Sequence, residues 1–288
     1  MTSLAEVSRR GLECGVHPLN SSRISPLFDH DPAEPSVFLP ANLLEGARRQ
    51  KGLPSWRAPR GCLLDMDGDI LERLLASGRA QRDHGWPCFH TRFYRWACDG
   101  QEYGVIGGTV GAPFAVLVAE ELFASGCDAL VSIASAGLVS DHLTPPFFVV
   151  VDRALRDEGT SHHYLVPDRF TIADEALVIS VEERLEALKI PVVRGASWTT
   201  DAPFRETGSL IARRRSEAIT CVEMEAAALL AFAAAHGRTV ACLAHVTNAM
   251  ATRVEDFEKG GDGGLEEAVS VSAAALQVAV ARAMSKRS

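Results

Sequence analysis

The sequence lacks an excess of positive charge. Its 29 lysines and arginines are outnumbered by 37 acidic residues, which gives a formal net charge of −8. A nucleic-acid partner is therefore not expected, because phosphate backbones favour clustered lysine and arginine. A small anion such as phosphate can still bind to an acidic protein in a local pocket.

The sequence also has no CxxC pair, and neither a membrane-spanning segment nor a signal peptide is expected from it. Its seven cysteines include no CxxC pair, and Cys127, Cys221 and Cys242 lie within apolar segments, which is typical of reduced, buried thiols in the cytosol. The segment Cys88–His90 is too sparse for a zinc site, so no metal is expected. Residues 1–15 have no apolar signal-peptide core, and no apolar run of membrane-spanning length is evident. We therefore expect a cytoplasmic protein without a membrane partner.

The length allows one large α/β domain or two small ones. The chain has 288 residues, 47% hydrophobic and 23% charged, which is ordinary for a globular protein. Prolines at positions 18, 26, 32, 35, 40, 54 and 59 interrupt the N-terminal part. We interpret residues 1–59 as an extension with one short helix at 40–51, and residues 60–288 as the main domain.

The main domain alternates strands and helices, which predicts an α/β fold with a mostly parallel or mixed sheet. Asp99-Gly100 is a strong hairpin signal between two of the strands. Phe114, Leu117, Val118 and Leu122 predict one apolar helix face. The predicted strands lie at 61–64, 90–97, 103–107, 129–134, 147–151, 192–197 and 239–246. The predicted helices lie at 70–77, 112–125, 171–188 and 265–284, with one more that ends at Gly237.

The stretch Glu223-Met224-Glu225 precedes that last helix and is the most informative in the chain. Buried carboxylates cost free energy unless they are paired, solvated or used. One interpretation is a helix start, where acids suit the helix dipole. The other is a binding site, because the strand that follows the helix ends in Thr247-Asn248, and α/β proteins keep their sites at strand ends.

Three further segments carry polar groups in suggestive places. Gly107–Gly111 could present backbone N–H groups to an anion, but a tight strand-to-helix turn is the favoured interpretation, and the segment is neither GxGxxG nor a P-loop. Ser132 and Ser135 follow a buried strand, where turn chemistry is the alternative. In the loop 198–207, Phe204 could stack on a planar ligand and Arg205 could bond its edge; a solvated loop with an Arg205–Asp201 pair is the competing interpretation. The acidic loop Val254–Gly264 suggests a mobile lid.

Taken together, these segments resemble the nucleoside phosphorylase superfamily, in its uridine and hexameric purine phosphorylase branch. The resemblance covers about residues 61–284. Its strongest part is Val222-Glu-Met-Glu-Ala-Ala227 with the strand ending in Val246-Thr-Asn248. Gly108-Thr-Val-Gly111-Ala-Pro113 and Ser132–Gly137 match two further family segments in order and spacing.

The resemblance implies a three-layer αβα sandwich around a mixed, twisted sheet, assembled as a homodimer or hexamer. It also implies cleavage of the N-glycosidic bond of a small-molecule nucleoside, with no cofactor and with inorganic phosphate as a possible co-substrate. By the same resemblance, Glu225 would bind the ribose hydroxyls, because an ionised carboxylate only accepts hydrogen bonds. Met224 would pack under the sugar, Val222 and Glu223 would border the base, and Phe204 would stack on it with Arg205 nearby.

Two parts of the expected site depart from the family pattern, one at the base and one at the phosphate. Asn248 stands where purine members place an aspartate that protonates the base; an amide cannot act as a general acid at neutral pH, so we expect a base that leaves as an anion. In the phosphate loop the family arginine is replaced by Ile70 and its second arginine by Ser132, which removes two bidentate phosphate ligands.

The phosphate ligands that remain are Thr109, Ser132 and Ser135, and one hypothesis adds Arg92 or Arg95 from across a subunit interface. Three functions stay open from the sequence. They are a phosphorylase with an altered phosphate site, a nucleoside hydrolase that uses Asp67 or Asp69 as base, and a non-catalytic nucleoside-binding protein.

Overall fold

A computed structural model describes residues 25–248 and 263–287 of the chain. The helices in these ranges are α1 (Pro40–Lys51), α2 (Asp69–Ala76), α3 (Ala112–Ala124), α4 (Glu175–Ala187), α5 (Gly208–Ser216), α6 (Ala226–His236) and α7 (Gly263–Ser285). The strands are β1 (Gly61–Asp65), β2 (Ala80–Asp83), β3 (Phe93–Cys98), β4 (Gln101–Gly107), β5 (Ala129–Leu138), β6 (Phe147–Asp157), β7 (Phe170–Ile172), β8 (Val192–Thr200), β9 (Ile219–Glu223) and β10 (Thr239–Asn248). Short 3₁₀ turns occur at Pro26–Phe28, Thr160–His163 and Pro203–Arg205.

All these strands join in one mixed sheet, and part of the sheet closes on itself. β5 pairs in parallel with β1 and β10 and, near its end, antiparallel with β9. β10 pairs with β6, β6 with β8 and β8 with β9, so the five strands form a ring. The closure brings the polar ends of β5, β9 and β10 to one region, although these strands are far apart in sequence.

Helices cover both faces of the sheet, which confirms the predicted three-layer αβα arrangement. α3 and α6 pack together on one face, and α2, α4 and α7 pack on the other. α6 consists of alanines, two leucines and a phenylalanine up to its last residue, His236, and its residues 226–233 are all buried. Alanine has the smallest side chain that still favours a helix, so α6 can approach the strands and α3 closely.

The expectation that no apolar run reaches membrane-spanning length is wrong for α7. Among the described residues it is the one helix that is long and apolar enough to cross a membrane by length and composition. Its apolar side chains, however, pack on β1, β5 and β10 and against α4, and Val271, Leu276 and Ala279 are fully buried. Burial within this fold accounts for the composition of the helix.

Other differences from the predicted elements follow from strand pairing. β5 continues through Ser135 to Leu138 instead of turning at Ser135, because β10 and β9 supply partners along its whole length. The segment predicted as a helix from residue 171 begins with β7, which pairs with β6. On α3, Leu117 is exposed and Glu121 is buried, so the predicted apolar face is only partly correct.

The described part of the N-terminal extension confirms the short helix. α1 spans Pro40–Lys51 as expected and buries Leu44 and Ala47, and it packs on α3. The division at residues 59 and 60 stays a prediction. The described cysteines are all unpaired, with Cys127, Cys221 and Cys242 buried; Cys14 lies outside the described residues.

Candidate active site

Glu223, the last residue of β9, caps the first turn of α6. Its Oε2 accepts hydrogen bonds from the backbone N–H groups of Glu225 (2.8 Å) and Ala226 (2.7 Å), and its Oε1 accepts from the Thr199 hydroxyl (2.6 Å). The Thr199 oxygen in turn accepts from Ala227 N–H (2.9 Å). Since the first N–H groups of a helix have no partner within it, this network satisfies them. The helix-start interpretation is therefore correct for Glu223.

Glu225 joins α6 to the glycine-rich turn before α3. Its Oε1 accepts from Gly111 N–H at 2.6 Å, and its Oε2 accepts from Met224 N–H at 3.2 Å. Gly111 has a φ of +96°, a conformation that favours glycine. The turn thus donates an N–H group to a carboxylate of the chain itself, and two segments that the sequence singled out separately are in direct contact.

The two carboxyl groups are almost wholly removed from solvent, with only 6% of Glu223 and 3% of Glu225 exposed. Burial, followed by the charge of Glu223, raises the pKa of Glu225 to about 8, against the lowering effect of the two N–H donors. Burial also raises the pKa of Glu223. Glu225 is therefore a carboxyl group whose charged form gains from additional donors, such as two neighbouring hydroxyl groups of a ligand.

A second group of polar residues lies at the ends of β1, β5 and β10, where it lines a cleft of about 70 Å³ beside α7. Asp67 Oδ2 accepts from Ser135 N–H at 2.9 Å, and Asp65 Oδ2 accepts from Leu71 N–H at 2.9 Å. Burial, with a smaller contribution from the like charges of Asp67 and Asp69, raises the pKa of Asp65 to about 7. The polar lining residues are Asp65, Asp67, Asp69, Ser135, His245 and Thr247. We call this the acidic cleft; none of the described residues that line it is a lysine or arginine.

His245 is a member of this cleft that the sequence reasoning missed. It pairs with Ser135 across β5 and β10, and its ring stacks on Phe148 with centroids 4.2 Å apart. Burial lowers the pKa of His245, while the charge of Asp67 opposes that shift. A single histidine inside an apolar strand gives no sequence signal, because only the pairing of β10 with β5 shows what it faces.

The expected phosphate ligands differ in burial and in their partners. Thr109 is fully buried and its hydroxyl donates to Met66 Sδ at 3.2 Å, and Ser132 is also buried, so Ser135 is the exposed hydroxyl of the three. Arg95 pairs with Asp83 at 2.6 Å and with Glu102 at 2.5 Å. Arg92 is exposed beside a different cleft, which Lys51, Arg82 and His84 also line. A contribution of Arg92 or Arg95 across an interface stays a prediction.

The residues expected to contact the base differ widely in their exposure to solvent. Val222 is buried and Met224 half-buried, beside Glu223 and Glu225. Phe204 is 99% exposed and contacts no stacking partner among the described rings. Asp201 accepts from Gly159 N–H at 2.9 Å, so its carboxylate bonds to this backbone group. Asn248 is the last residue of β10 and pairs through its backbone with Gly137; its side chain and residues 254–262 of the expected lid lie outside what the structure describes.

An α/β sandwich with buried carboxylates at converging strand ends defines a class of small-molecule enzyme folds, and comparison with known proteins identifies the family. A model described as the phosphorylase superfamily matches residues 59–282. The chain therefore belongs to the phosphorylase superfamily, as the resemblance indicated.

Individual relatives are distant. A uridine phosphorylase from Thermococcus kodakarensis is 27% identical over 203 residues, which cover 66% of this chain and 70% of the relative. A DeoD-type purine nucleoside phosphorylase from Colwellia psychrerythraea is 29% identical over 147 residues, or 50% of this chain and 63% of the relative. A purine nucleoside phosphorylase from Plasmodium vivax is 25% identical over 134 residues, or 46% and 55%. The alignments thus span less than two thirds of the two purine enzymes, and the chain is a divergent member of the family.

Proposed function

We propose that this protein cleaves the N-glycosidic bond of a nucleoside, with inorganic phosphate as the attacking group. The observation that carries the proposal is Glu225, which is buried, held by Gly111 N–H and Met224 N–H, and short of donors for its charged form. The relatives named above as uridine and purine nucleoside phosphorylases support the reaction class. A cytoplasmic homodimer or hexamer remains part of this proposal.

In the proposed reaction the two ribose hydroxyl groups donate to Glu225, which fixes the sugar. The bond from C1′ to the base nitrogen breaks and its electron pair leaves with the base, so positive charge develops at C1′. The carboxylate of Glu225 stabilises this charge. An oxygen of phosphate then bonds to C1′, and the products are a sugar 1-phosphate and the free base.

Hydrolysis is the second candidate, and the acidic cleft favours it. Asp67 already occupies Ser135 N–H, a donor that an incoming anion would use, and no lysine or arginine is among the described lining residues. Like charges disfavour a phosphate dianion there, whereas water suits carboxylate acceptors. In this candidate Asp67 or Asp69 takes the proton of the attacking water.

A nucleoside panel incubated with and without phosphate tests both candidates. We expect base release to depend on phosphate and to be accompanied by sugar 1-phosphate. Release at the same rate in phosphate-free buffer would replace phosphorolysis by hydrolysis. Saturable nucleoside binding without any release would contradict both and leave a binding protein.

Base preference is expected to depend on Asn248. Because an amide cannot protonate a leaving base at neutral pH, we expect uridine or inosine to be cleaved faster than adenosine, by about tenfold or more, since general-acid catalysis contributes about 10²–10⁴-fold where it operates. The Asn248→Asp variant should shift the ratio of kcat/KM values towards adenosine. Comparable turnover of adenosine and inosine in the wild type, or an unchanged ratio in the variant, would contradict this role.

A further inference from the structure

The N-terminal segment that precedes α1 contacts the body of the protein through Phe28 and His30, whose rings meet those of His162 and His163. His30 stacks on His163 with ring centroids 4.6 Å apart, and its Nε2 lies 3.1 Å from the backbone oxygen of His162. Phe28 meets the edge of the His162 ring at 5.1 Å. We call residues 25–30 the strap and residues 158–164 the histidine turn.

The polar groups of the histidine turn bond within the turn and to the residues around it. Arg156 donates to the Ser161 hydroxyl at 2.8 Å and to the backbone oxygens of Leu165 and Val166. Both Glu158 oxygens accept from Ser161 N–H. Tyr164 donates its hydroxyl to Glu120 of α3. These bonds connect the turn to β6 through Arg156 and to α3 through Glu120.

Gly159 of the histidine turn also contacts the loop expected to contact the base. Gly159 N–H donates to Asp201 at 2.9 Å, and Asp201 lies two residues before the turn Pro203–Arg205. Leu27 of the strap approaches the same glycine, since its Cδ1 would lie 4.0 Å from a Cβ at position 159. Phe204 is 99% exposed, so its own ring contacts do not fix the loop. The strap and the loop thus both approach Gly159.

We propose that the strap positions the base-binding loop, with Phe28 and His30 as positioning residues for the nucleoside. The inference rests on the proposed function, because it assigns Phe204 and Arg205 to the base. Docking of the strap orders the histidine turn, which holds Asp201 and so restricts the loop before the ligand arrives. A loop that is ordered in advance loses less conformational entropy on binding, which strengthens binding without changing the chemical step.

The test is the double variant Phe28→Ala/His30→Ala, with Val37→Ala as the matched control, because Val37 is 99% exposed in the same N-terminal segment. We expect KM for the nucleoside to rise about 3- to 10-fold, the loss expected when one or two side chains must be ordered on binding. The value of kcat should stay within about twofold, since the strap touches no group at the glycosidic bond. His30→Phe alone should restore most of the affinity lost in His30→Ala, because it keeps a ring on His163.

Hydrogen exchange provides a readout that does not need activity. Amides in residues 159–164 and 201–206 should exchange about tenfold faster in the double variant than in Val37→Ala, as local opening becomes easier. Unchanged exchange in both segments, or a fall in kcat at constant KM, would overturn the inference. If the wild type cleaves no nucleoside, the proposed function fails and the exchange rates alone decide whether the strap orders the loop.

Discussion

Replacing Glu225 by glutamine is expected to remove nearly all activity while leaving the protein folded. The amide can still accept from Gly111 N–H, but it cannot accept two hydroxyl hydrogens as a carboxylate does. Hydrogen bonds to charged groups are worth about 1.5–3 kcal/mol each. Loss of about 2–4 kcal/mol corresponds to a fall of about 30- to 700-fold in kcat/KM, measured by release of free base.

The same variant is expected to be at least as stable as the wild type, and more so at high pH. The pKa of Glu225 is raised from 4.5 to about 8, so the unfolded chain releases this proton at a lower pH than the folded chain does. The free energy of unfolding of the wild type therefore decreases between these two pH values, and glutamine removes that decrease. We expect the Tm of Glu225→Gln to exceed that of the wild type by at least about 2 °C at pH 8, with a smaller difference at pH 5.

Glu186→Gln is the matched control, because Glu186 is exposed on α4. It should change neither kcat/KM nor the pH dependence of Tm. Nearly wild-type turnover in Glu225→Gln would remove Glu225 from the sugar site. If Glu225→Gln melts well below the wild type at pH 8, the Glu225 carboxylate of the wild type stabilises the fold.

The opposite result is expected for Glu223, two residues earlier. Glu223→Ala leaves the Thr199 hydroxyl and the N–H groups of Glu225 and Ala226 without their partner. Each unsatisfied buried group costs about 1–3 kcal/mol, so we expect a loss of about 3–5 kcal/mol in the free energy of unfolding. Urea unfolding followed by the fluorescence of buried Trp198 measures it.

Glu223→Gln separates the shape of this side chain from its charge. Its amide oxygen can still accept at the start of α6, so it should cost about 1 kcal/mol, the net value of one hydrogen bond. If alanine and glutamine destabilise equally, the charge rather than the capping geometry matters. If alanine costs less than about 1 kcal/mol, the capping role itself is wrong.

The two glutamates show how far a local pattern can be interpreted. Glu223-Met224-Glu225 indicated either a helix start or a binding site, and the structure assigns the helix start to one residue while leaving the other as the candidate ligand group. Periodicity cannot separate them, because both precede the same helix. The decision comes from Thr199 on β8 and Gly111 before α3, which are brought in by strand pairing and helix packing.

The chain order of apolar and polar segments by itself determined the α/β class, most element positions and the family. These properties depend on local periodicity, turn residues such as Asp99-Gly100, and short motifs whose residues are contiguous. The hairpin of β3 and β4 and the helix α1 were predicted for this reason.

Tertiary structure alone decided which polar groups meet. The ring of β5, β10, β6, β8 and β9 places His245 beside Ser135 and brings Asp67 to the same strand end, and it extends β5 beyond its predicted turn. Burial then raises the pKa values of Glu225 and Asp65, since desolvation depends on every element packed around them. Long-range pairing and burial are properties of the whole chain, so no local stretch of sequence specifies them.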